Sequence, residues 1–243
     1  MPNSVTDSMC LNPIARTRWV RLCCLSGLLG SFLFLSGDML FYGTLSSGAA
    51  FHPYLEMAHR PLVQLVIGGA LGPIAALFSA IGVGLFYLTL EPGSRPLAYA
   101  VAVLLAVMML VGGAYHAVYT VFGFASKVAD ESVRETLITQ VTSLRDTISY
   151  PMYATGIAGT ALTYFLGLWK KTQFPRWLLV FLPTSLSMAS SAVPGYFLAI
   201  PAPFGGIISG GWINGSFLLF FAIATCVFWH SETSGVQKSP SSN

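Results

Sequence analysis

The chain has 243 residues, of which 54% are hydrophobic and only 9% are charged. Soluble domains carry about 25% charged residues, so a single soluble core could not bury this much apolar sequence. With a mean hydropathy of +0.70, the composition indicates an integral membrane protein whose expected partners are membrane lipids. The net charge of +3 is small and confined to short loops, so we expect no nucleic-acid partner.

Six long apolar segments follow one another along the chain. In order they cover about residues 19–43, 61–90, 96–125, 149–169, 177–200 and 206–229. Each meets or exceeds the roughly 20 residues that a membrane-spanning helix needs, and none alternates as barrel strands do. The sequence therefore predicts an all-α fold, a polytopic membrane bundle with six transmembrane helices over residues 19–230.

The positive charges predict the orientation of the bundle. With six spans both termini share one side, and that side holds eight Lys and Arg residues against four on the other. The positive-inside rule then places both termini in the cytoplasm. Residues 1–18 form a cytoplasmic N-terminal segment, and the polar residues 231–243 form a disordered cytoplasmic tail.

A short amphipathic helix is predicted between the third and fourth segments. Apolar residues recur there every three to five positions, opposite a charged face; they are Val128, Val133, Leu137, Val141, Leu144 and Ile148. The helix would lie on the outer surface, either over the opening of the bundle or as a simple connector.

Two titratable residues lie inside apolar segments, Asp38 in the first and His116 in the third. A carboxylate in that position costs roughly 2.5–3.5 kcal/mol, so it needs a partner, a proton or a water-filled cavity. Counted from the inner ends of their segments, both residues lie at the same depth, in the outer third. We expect an acid/base pair; a proton-coupling site and a structural clamp between the two helices are the alternatives.

Other polar side chains at this depth outline a pocket that opens to the outside or to the outer leaflet. The candidate binding residues are Tyr42, Gln64, Tyr115, Tyr119, Tyr153, Tyr196, Trp212 and Asn214. A break at Pro194-Gly195 in the fifth segment would be tolerated beside such a cavity. Simpler roles stay open, because Asn214 could join helices by hydrogen bonding and the tyrosines could form an interfacial belt.

His52, Glu56 and His59 are candidate metal ligands, because positions i, i+4 and i+7 share a face of a helix. Pro53 next to His52 argues against a helix that contains all three. Sequence signatures for zinc proteases, serine hydrolases and nucleotide binding are absent. We therefore predict neither a metal nor another cofactor.

Five motifs together resemble an uncharacterised family of six-span, mostly bacterial integral membrane proteins, known only as a domain of unknown function. They are Gly37-Asp-Met-Leu-Phe-Tyr-Gly43, Gly68-Gly-Ala-Leu-Gly-Pro73, Gly112-Gly-Ala-Tyr-His116, Pro201-Ala-Pro-Phe-Gly-Gly206 and Gly210-Gly-Trp-Ile-Asn214. The resemblance covers all six segments. It implies a six-span fold and points to the same Asp, His and Asn positions, and it implies no activity.

The leading hypothesis is an enzyme that performs acid/base chemistry on a small amphipathic or lipid-like substrate, as an isomerase, cyclase or hydrolase. Asp38 would be the acid or base and His116 its partner, while Tyr42, Tyr115 and Asn214 would orient the substrate. A proton-coupled small-molecule transporter and a structural membrane protein are the alternatives. If the protein is an enzyme, the pocket should be closed on the cytoplasmic side by the apolar inner half of the bundle. A transporter needs a polar path that continues inward. The pattern specifies neither the oligomeric state nor the cellular membrane.

Overall fold

The computed structural model describes residues 13–191 and 197–230, and every regular element in these two ranges is helical. The α-helices are α1 (Pro13–Tyr42), α2 (Pro53–His59), α3 (Leu62–Gly82), α4 (Gly84–Leu90), α5 (Arg95–Ala125), α6 (Glu131–Trp169), α7 (Pro183–Ser191) and α8 (Phe204–His230). Turns of 3₁₀ helix cover Gly48–Ala50, Arg176–Phe181 and Phe197–Ala199. The predicted all-α class is confirmed.

Four helical stretches are long and apolar enough to cross a membrane. They are Ala15–Tyr42, Leu62–Leu90, Arg95–Ala125 and Phe204–Trp229. They coincide with the first, second, third and sixth predicted segments, and the second stretch joins α3 to α4 across Val83. Four such helices agree with an integral membrane protein.

The predicted surface helix and the fourth predicted segment form one continuous helix, α6, of 39 residues. Asp130 caps its N-terminus, and neither glycine nor proline interrupts the sequence before Pro151. Tyrosines and threonines dilute its apolar second half, and α6 is not among the four stretches above. At 1.5 Å per residue the helix is about 58 Å long, almost twice the thickness of a bilayer core. Part of α6 must therefore lie outside the hydrocarbon of any bilayer that it enters.

The fifth predicted segment is not a continuous helix in the part of the chain that the structure describes. It is divided into the 3₁₀ turn Arg176–Phe181, α7 and the 3₁₀ turn Phe197–Ala199. Pro183 accounts for the first break, because Leu182 before it has φ −57° and ψ 128°, the conformation that a following proline favours. The predicted break at Pro194-Gly195 lies outside the described residues.

Helix α3 packs between α1 and α5. A Cβ atom on Gly82 of α3 would lie 2.4 Å from the Cα of Gly27 in α1, and one on Gly113 of α5 would lie 2.6 Å from the Cβ of Ala76 in α3. Glycine at these contacts lets the helices approach closely, which is how membrane helices gain packing contacts. Side chains from α1 and α5 can consequently meet across the surface of α3.

The two ends of the bundle are joined by different contacts. At one end, here called the terminal end, Arg16 of α1 forms an ion pair of 3.5 Å with Glu91 in the turn before α5. At the other, here called the distal end, the backbone N–H of Gly48 donates to the carbonyl of Ile200 at 2.9 Å. This second contact fastens the chain after α1 to the chain that leads into α8.

Apolar clusters fill both ends. The terminal-end cluster includes Leu85, Leu105 and Leu166 around Phe86 and Phe220, whose rings stack with centroids 5.5 Å apart and an interplanar angle of 4°. The distal-end cluster is smaller and includes Phe41, Leu65, Phe122 and Val141. Asp38 and His116 lie between the two clusters.

Candidate functional site

Asp38 is held by donors from two helices. Asp38 is buried, with only 4% of its surface exposed. The Tyr42 hydroxyl, one turn further along α1, donates to Oδ1 at 2.8 Å, and Nδ2 of Asn214 in α8 donates to Oδ2 at 2.7 Å. Hydrogen bonds to an ionised acceptor are among the stronger ones in proteins. They offset part of the cost of burying the carboxylate.

His116 of α5 lies against the same carboxylate and is also buried. Its Nδ1 is 3.6 Å from Oδ1 of Asp38, which is too long for a direct hydrogen bond; at this distance the two side chains form an ion pair when the imidazole is protonated. The rings of Phe34 and Phe41 flank the imidazole, with centroids 5.5 and 5.1 Å away. The predicted Asp38–His116 pair is therefore present, buried, and built from helices that flank α3.

Glycines make room for the imidazole. A Cβ atom on Gly37 would lie 2.4 Å from Nε2 of His116, and one on Gly72 would lie 2.8 Å from Cδ2. Among the described residues Nε2 has no hydrogen bond of normal geometry, and the carbonyl of Gly68 is the polar group beside it. A larger residue at position 37 or 72 would force the imidazole or the neighbouring backbone to move.

A cavity of about 320 Å³ lies beside the pair, at the small end of the roughly 300–1,000 Å³ typical of small-molecule sites. Helices α1, α5, α6 and α8 all contribute to its wall. Seven residues that the sequence singled out line it: Asp38, Tyr42, Tyr115, His116, Tyr119, Tyr153 and Asn214. The prediction of a polar layer thus identified most of the polar lining.

The most exposed part of the cavity wall lies on α6 and α8. Tyr153, Ile157 and Ile213 line the cavity and are each about half exposed. Toward the terminal end lies a second void with a volume of about 20 Å³, which is room for about one water molecule. The cavity is therefore open sideways and closed by apolar packing toward the terminal end.

Much of the lining was missed by the sequence reasoning. Phe34, Met108, Met109, Met152 and Phe217 form an apolar part of the wall, and Ser187 and Ser209 add hydroxyls. An apolar residue in an apolar segment carries no distinguishing signal. Helical spacing could have indicated Phe34, which is one turn before Asp38 on the same face of α1.

Three predicted binding residues do not belong to the described lining. Gln64, near the start of α3, is partly buried and does not line the cavity. Trp212 also does not line it, and its ring packs on Phe197 with centroids 5.7 Å apart. Tyr196 lies outside the described residues.

The candidate metal ligands do not share a helical face. His52 has φ −131° and ψ 99° and precedes α2, whereas Glu56 and His59 lie within it. Pro53 begins the helix, so His52 is held in extended backbone. Within residues 13–191 and 197–230, no three His, Cys, Asp or Glu side chains are grouped as a metal site.

Comparison with known proteins identifies a family for this chain. The model of a family of unknown function (DUF6796) matches residues 14–231, and the chain belongs to that family. No curated protein and no solved structure matches the chain. Membership confirms the resemblance to an uncharacterised family and assigns no activity.

Proposed function

We propose that this family member is a membrane-embedded enzyme that binds a small amphipathic molecule beside Asp38 and His116 and transfers a proton to or from it. The observation that carries the proposal is that a buried carboxylate and a buried imidazole border one cavity. The proposal includes six membrane crossings, with the second half of α6 and the region 176–200 as the fourth and fifth. It also places both termini in the cytoplasm.

The geometry supports distinct roles for the two groups. Asp38 is fixed by Tyr42 and Asn214, so its orientation changes little during a reaction. Imidazole is the side chain that most readily exchanges a proton near neutral pH. The 3.6 Å gap between the two can be bridged by one water or closed by a small movement when substrate binds. The hydroxyls of Tyr115 and Tyr119, 3.3 Å apart, would orient the polar part of the substrate.

The closed terminal end favours an enzyme over a carrier. A carrier needs a polar route from the site to the opposite face, whereas the terminal-end cluster packs Phe86, Phe220 and Phe221 across that direction. The sideways opening between α6 and α8 suits a substrate that arrives from the bilayer.

One observation favours a proton-coupled transporter as the second candidate. Thr184 and Ser187 of the short helix α7 line the cavity, and they belong to the interrupted region 176–200. Transporters place their sites at discontinuous helices of this kind.

The test is incubation of the purified protein with a lipid extract of its native membrane, followed by mass spectrometry of the components. We expect the wild type to convert one component and Asp38→Asn and His116→Gln to leave it unchanged, with all three proteins folded. Unchanged extracts with the wild type would contradict the enzyme. Uptake of a solute into proteoliposomes, with proton movement that Asp38→Asn abolishes, would favour the transporter. If Asp38→Asn is as stable as the wild type and causes no phenotype, the remaining candidate is a structural membrane protein.

A further inference from the structure

The cavity combines one buried carboxylate with a wall of aromatic rings. From this combination we infer that its ligand carries a cationic amine head group on a short apolar chain. The inference rests on the proposed function, because it names the substrate class of the same site.

The charges around the cavity favour a cation. Asp38 is the carboxylate of the lining, and among the described lining residues none is lysine or arginine. Arg145 lies near Tyr115 but outside the lining, and it is paired with Asp146 at 2.7 Å. An anionic ligand would bring a second negative charge beside Asp38, and His116 is the one group of the described lining that could pair with it, when protonated. Burying an unpaired charge is costly. A carboxylate has about four acceptor positions, so Asp38 can still accept from a ligand while Tyr42 and Asn214 donate to it.

The aromatic wall adds an independent argument. Tyr42, Phe51, Tyr115 and Tyr119 all line the cavity. Their rings form a continuous chain, with centroids 5.8 Å apart for Tyr42–Phe51, 6.2 Å for Tyr42–Tyr119 and 5.6 Å for Tyr115–Tyr119. Aromatic faces attract cations by roughly 0.5–2 kcal/mol per contact, and groups of rings are the usual recognition element for quaternary ammonium.

The remaining wall fits an apolar chain. Met108, Met109, Met152, Ile213 and Phe217 lie on it, and methionine adapts its shape to irregular ligands. A phospholipid with a choline head group would bring a phosphate, for which the described lining offers no basic partner. The geometry therefore favours a free amphiphilic amine. With Asp38 acting as its counter-ion, His116 is the group left to exchange the proton.

The test uses the full-length protein in dodecyl maltoside, whose head group is uncharged. Equilibrium binding is measured for hexyltrimethylammonium, 1-heptanol, heptanoate and dihexanoylphosphatidylcholine. We expect the ammonium to bind at least about tenfold more tightly than the other three, since it alone brings a cation to the buried carboxylate without an anionic group.

Four variants locate the site of binding. Asp38→Asn should weaken ammonium binding at least about tenfold, as expected when the counter-ion is lost. Asp130→Asn makes the same charge change at the exposed start of α6 and should leave binding unchanged. If Asp38→Asn does not fold, Tyr115→Leu tests the site instead. It should weaken ammonium binding by roughly 2-fold to 30-fold, because the aromatic face is lost. Tyr115→Phe keeps the ring and should weaken binding less.

The outcomes separate this inference from the proposed function. Equal or tighter binding of heptanol or heptanoate would contradict the amine head group and leave the small-molecule cavity standing. Tightest binding of the phosphatidylcholine would contradict the free amine in favour of a lipid head group. Binding of none of the four would contradict both proposals, and ammonium binding unaffected by Asp38→Asn and Tyr115→Leu would place the ligand elsewhere.

Discussion

At the scale of single residues, Asp38 depends on what its neighbours donate. Tyr42 and Asn214 each satisfy one carboxylate oxygen, and His116 completes the polar group. The same contacts that make the carboxylate tolerable in an apolar bundle also fix its position at the cavity wall. We therefore expect Asp38 to contribute both to stability and to ligand binding. The two contributions can be distinguished only when both are measured on the same variant.

Replacing Asn214 by leucine should destabilise the protein, because one oxygen of the buried carboxylate would lose its donor. A buried acceptor left unsatisfied costs about 1–3 kcal/mol, and we expect a loss of that size in the free energy of unfolding in micelles. The control is the pair Asp38→Leu and Asp38→Leu with Asn214→Leu: once the carboxylate is gone, loss of the amide should cost less, because it leaves no carboxylate oxygen without its donor. Equal stability of the wild type and Asn214→Leu would show that this hydrogen bond contributes nothing.

Replacing Gly37 by alanine should displace the imidazole of His116 from its present position, because the new methyl group would lie 2.4 Å from Nε2. Overpacking of this kind costs about 1–3 kcal/mol. Nitrogen-15 chemical shifts of the imidazole report the change in its surroundings. Gly215→Ala is a matched control in α8, because its methyl group would meet no atom within 4 Å. An unchanged imidazole spectrum in Gly37→Ala would contradict the close contact.

The residues that sequence reasoning found were those that contrast with their surroundings. Asp38, His116 and Asn214 are polar residues in apolar segments, and the structure brings all three to one cavity. Gln64 and Trp212 show the limit of an argument from depth alone. They lie at the depth of the polar layer, but depth says nothing about which direction around its helix a side chain points.

At the scale of helices, the predicted bounds were least accurate where changes in composition and helix-interrupting residues do not coincide. Four segments were predicted with nearly correct bounds, although the second is divided at Val83 into α3 and α4. The surface helix was separated from the fourth segment because composition changes near residue 149, yet the backbone has no reason to stop there and α6 continues. The fifth segment was apolar enough for a span, but Pro183 redirects the chain after Leu182. Hydropathy indicates which residues are buried, whereas proline indicates where the backbone changes direction. In the fifth segment these two signals pointed to different structures.

The start of α6 should become less stable as the pH falls. Hydrogen bonds from the Ser132 hydroxyl and from the backbone N–H of Val133 lower the pKa of Asp130. Because the folded pKa is below the unfolded value, the cap contributes fully above the ordinary aspartate pKa of about 3.9 and is lost as the pH falls through the lowered pKa. Hydrogen-exchange protection of the first turn of α6, corrected for intrinsic rates, should fall in that range.

Asp130→Asn is the control for this cap, because asparagine caps helices about as well as aspartate and does not titrate. Its first turn should keep its protection as the pH falls. The same pH dependence in both proteins would show that Asp130 is not responsible.

At the scale of the whole molecule, polarity is distributed unevenly along the bundle. A large apolar cluster fills the terminal end, a smaller one fills the distal end, and the cavity with its carboxylate and imidazole lies between them. Glycine contacts on both faces of α3 hold α1 and α5 close enough for this site to form. A site that is open at the side and closed toward the terminal end is the arrangement that the proposed enzyme requires.

The proposed orientation can be tested with single cysteines in a background that lacks the native ones. Thr136 and Lys171 are exposed near opposite ends of α6. In intact cells, an impermeant maleimide should label Thr136→Cys and should label Lys171→Cys only after permeabilisation, because the positive-inside rule places Lys171 in the cytoplasm. Labelling in the reverse pattern would invert the orientation, and labelling of both from outside would contradict a crossing by α6.

The central claim, that the cavity holds a small molecule, is tested most directly by filling it. Gly112 lines the cavity, and a Cβ atom there would approach only Met152, at 3.7 Å, so Gly112→Phe should occupy the space without disturbing the helices. Gly215→Phe is the matched control outside the described lining. Mass spectrometry of small molecules that copurify with the protein should show a component bound to the wild type and to Gly215→Phe and absent from Gly112→Phe. The same component on all three proteins, or on none of them, would contradict the claim.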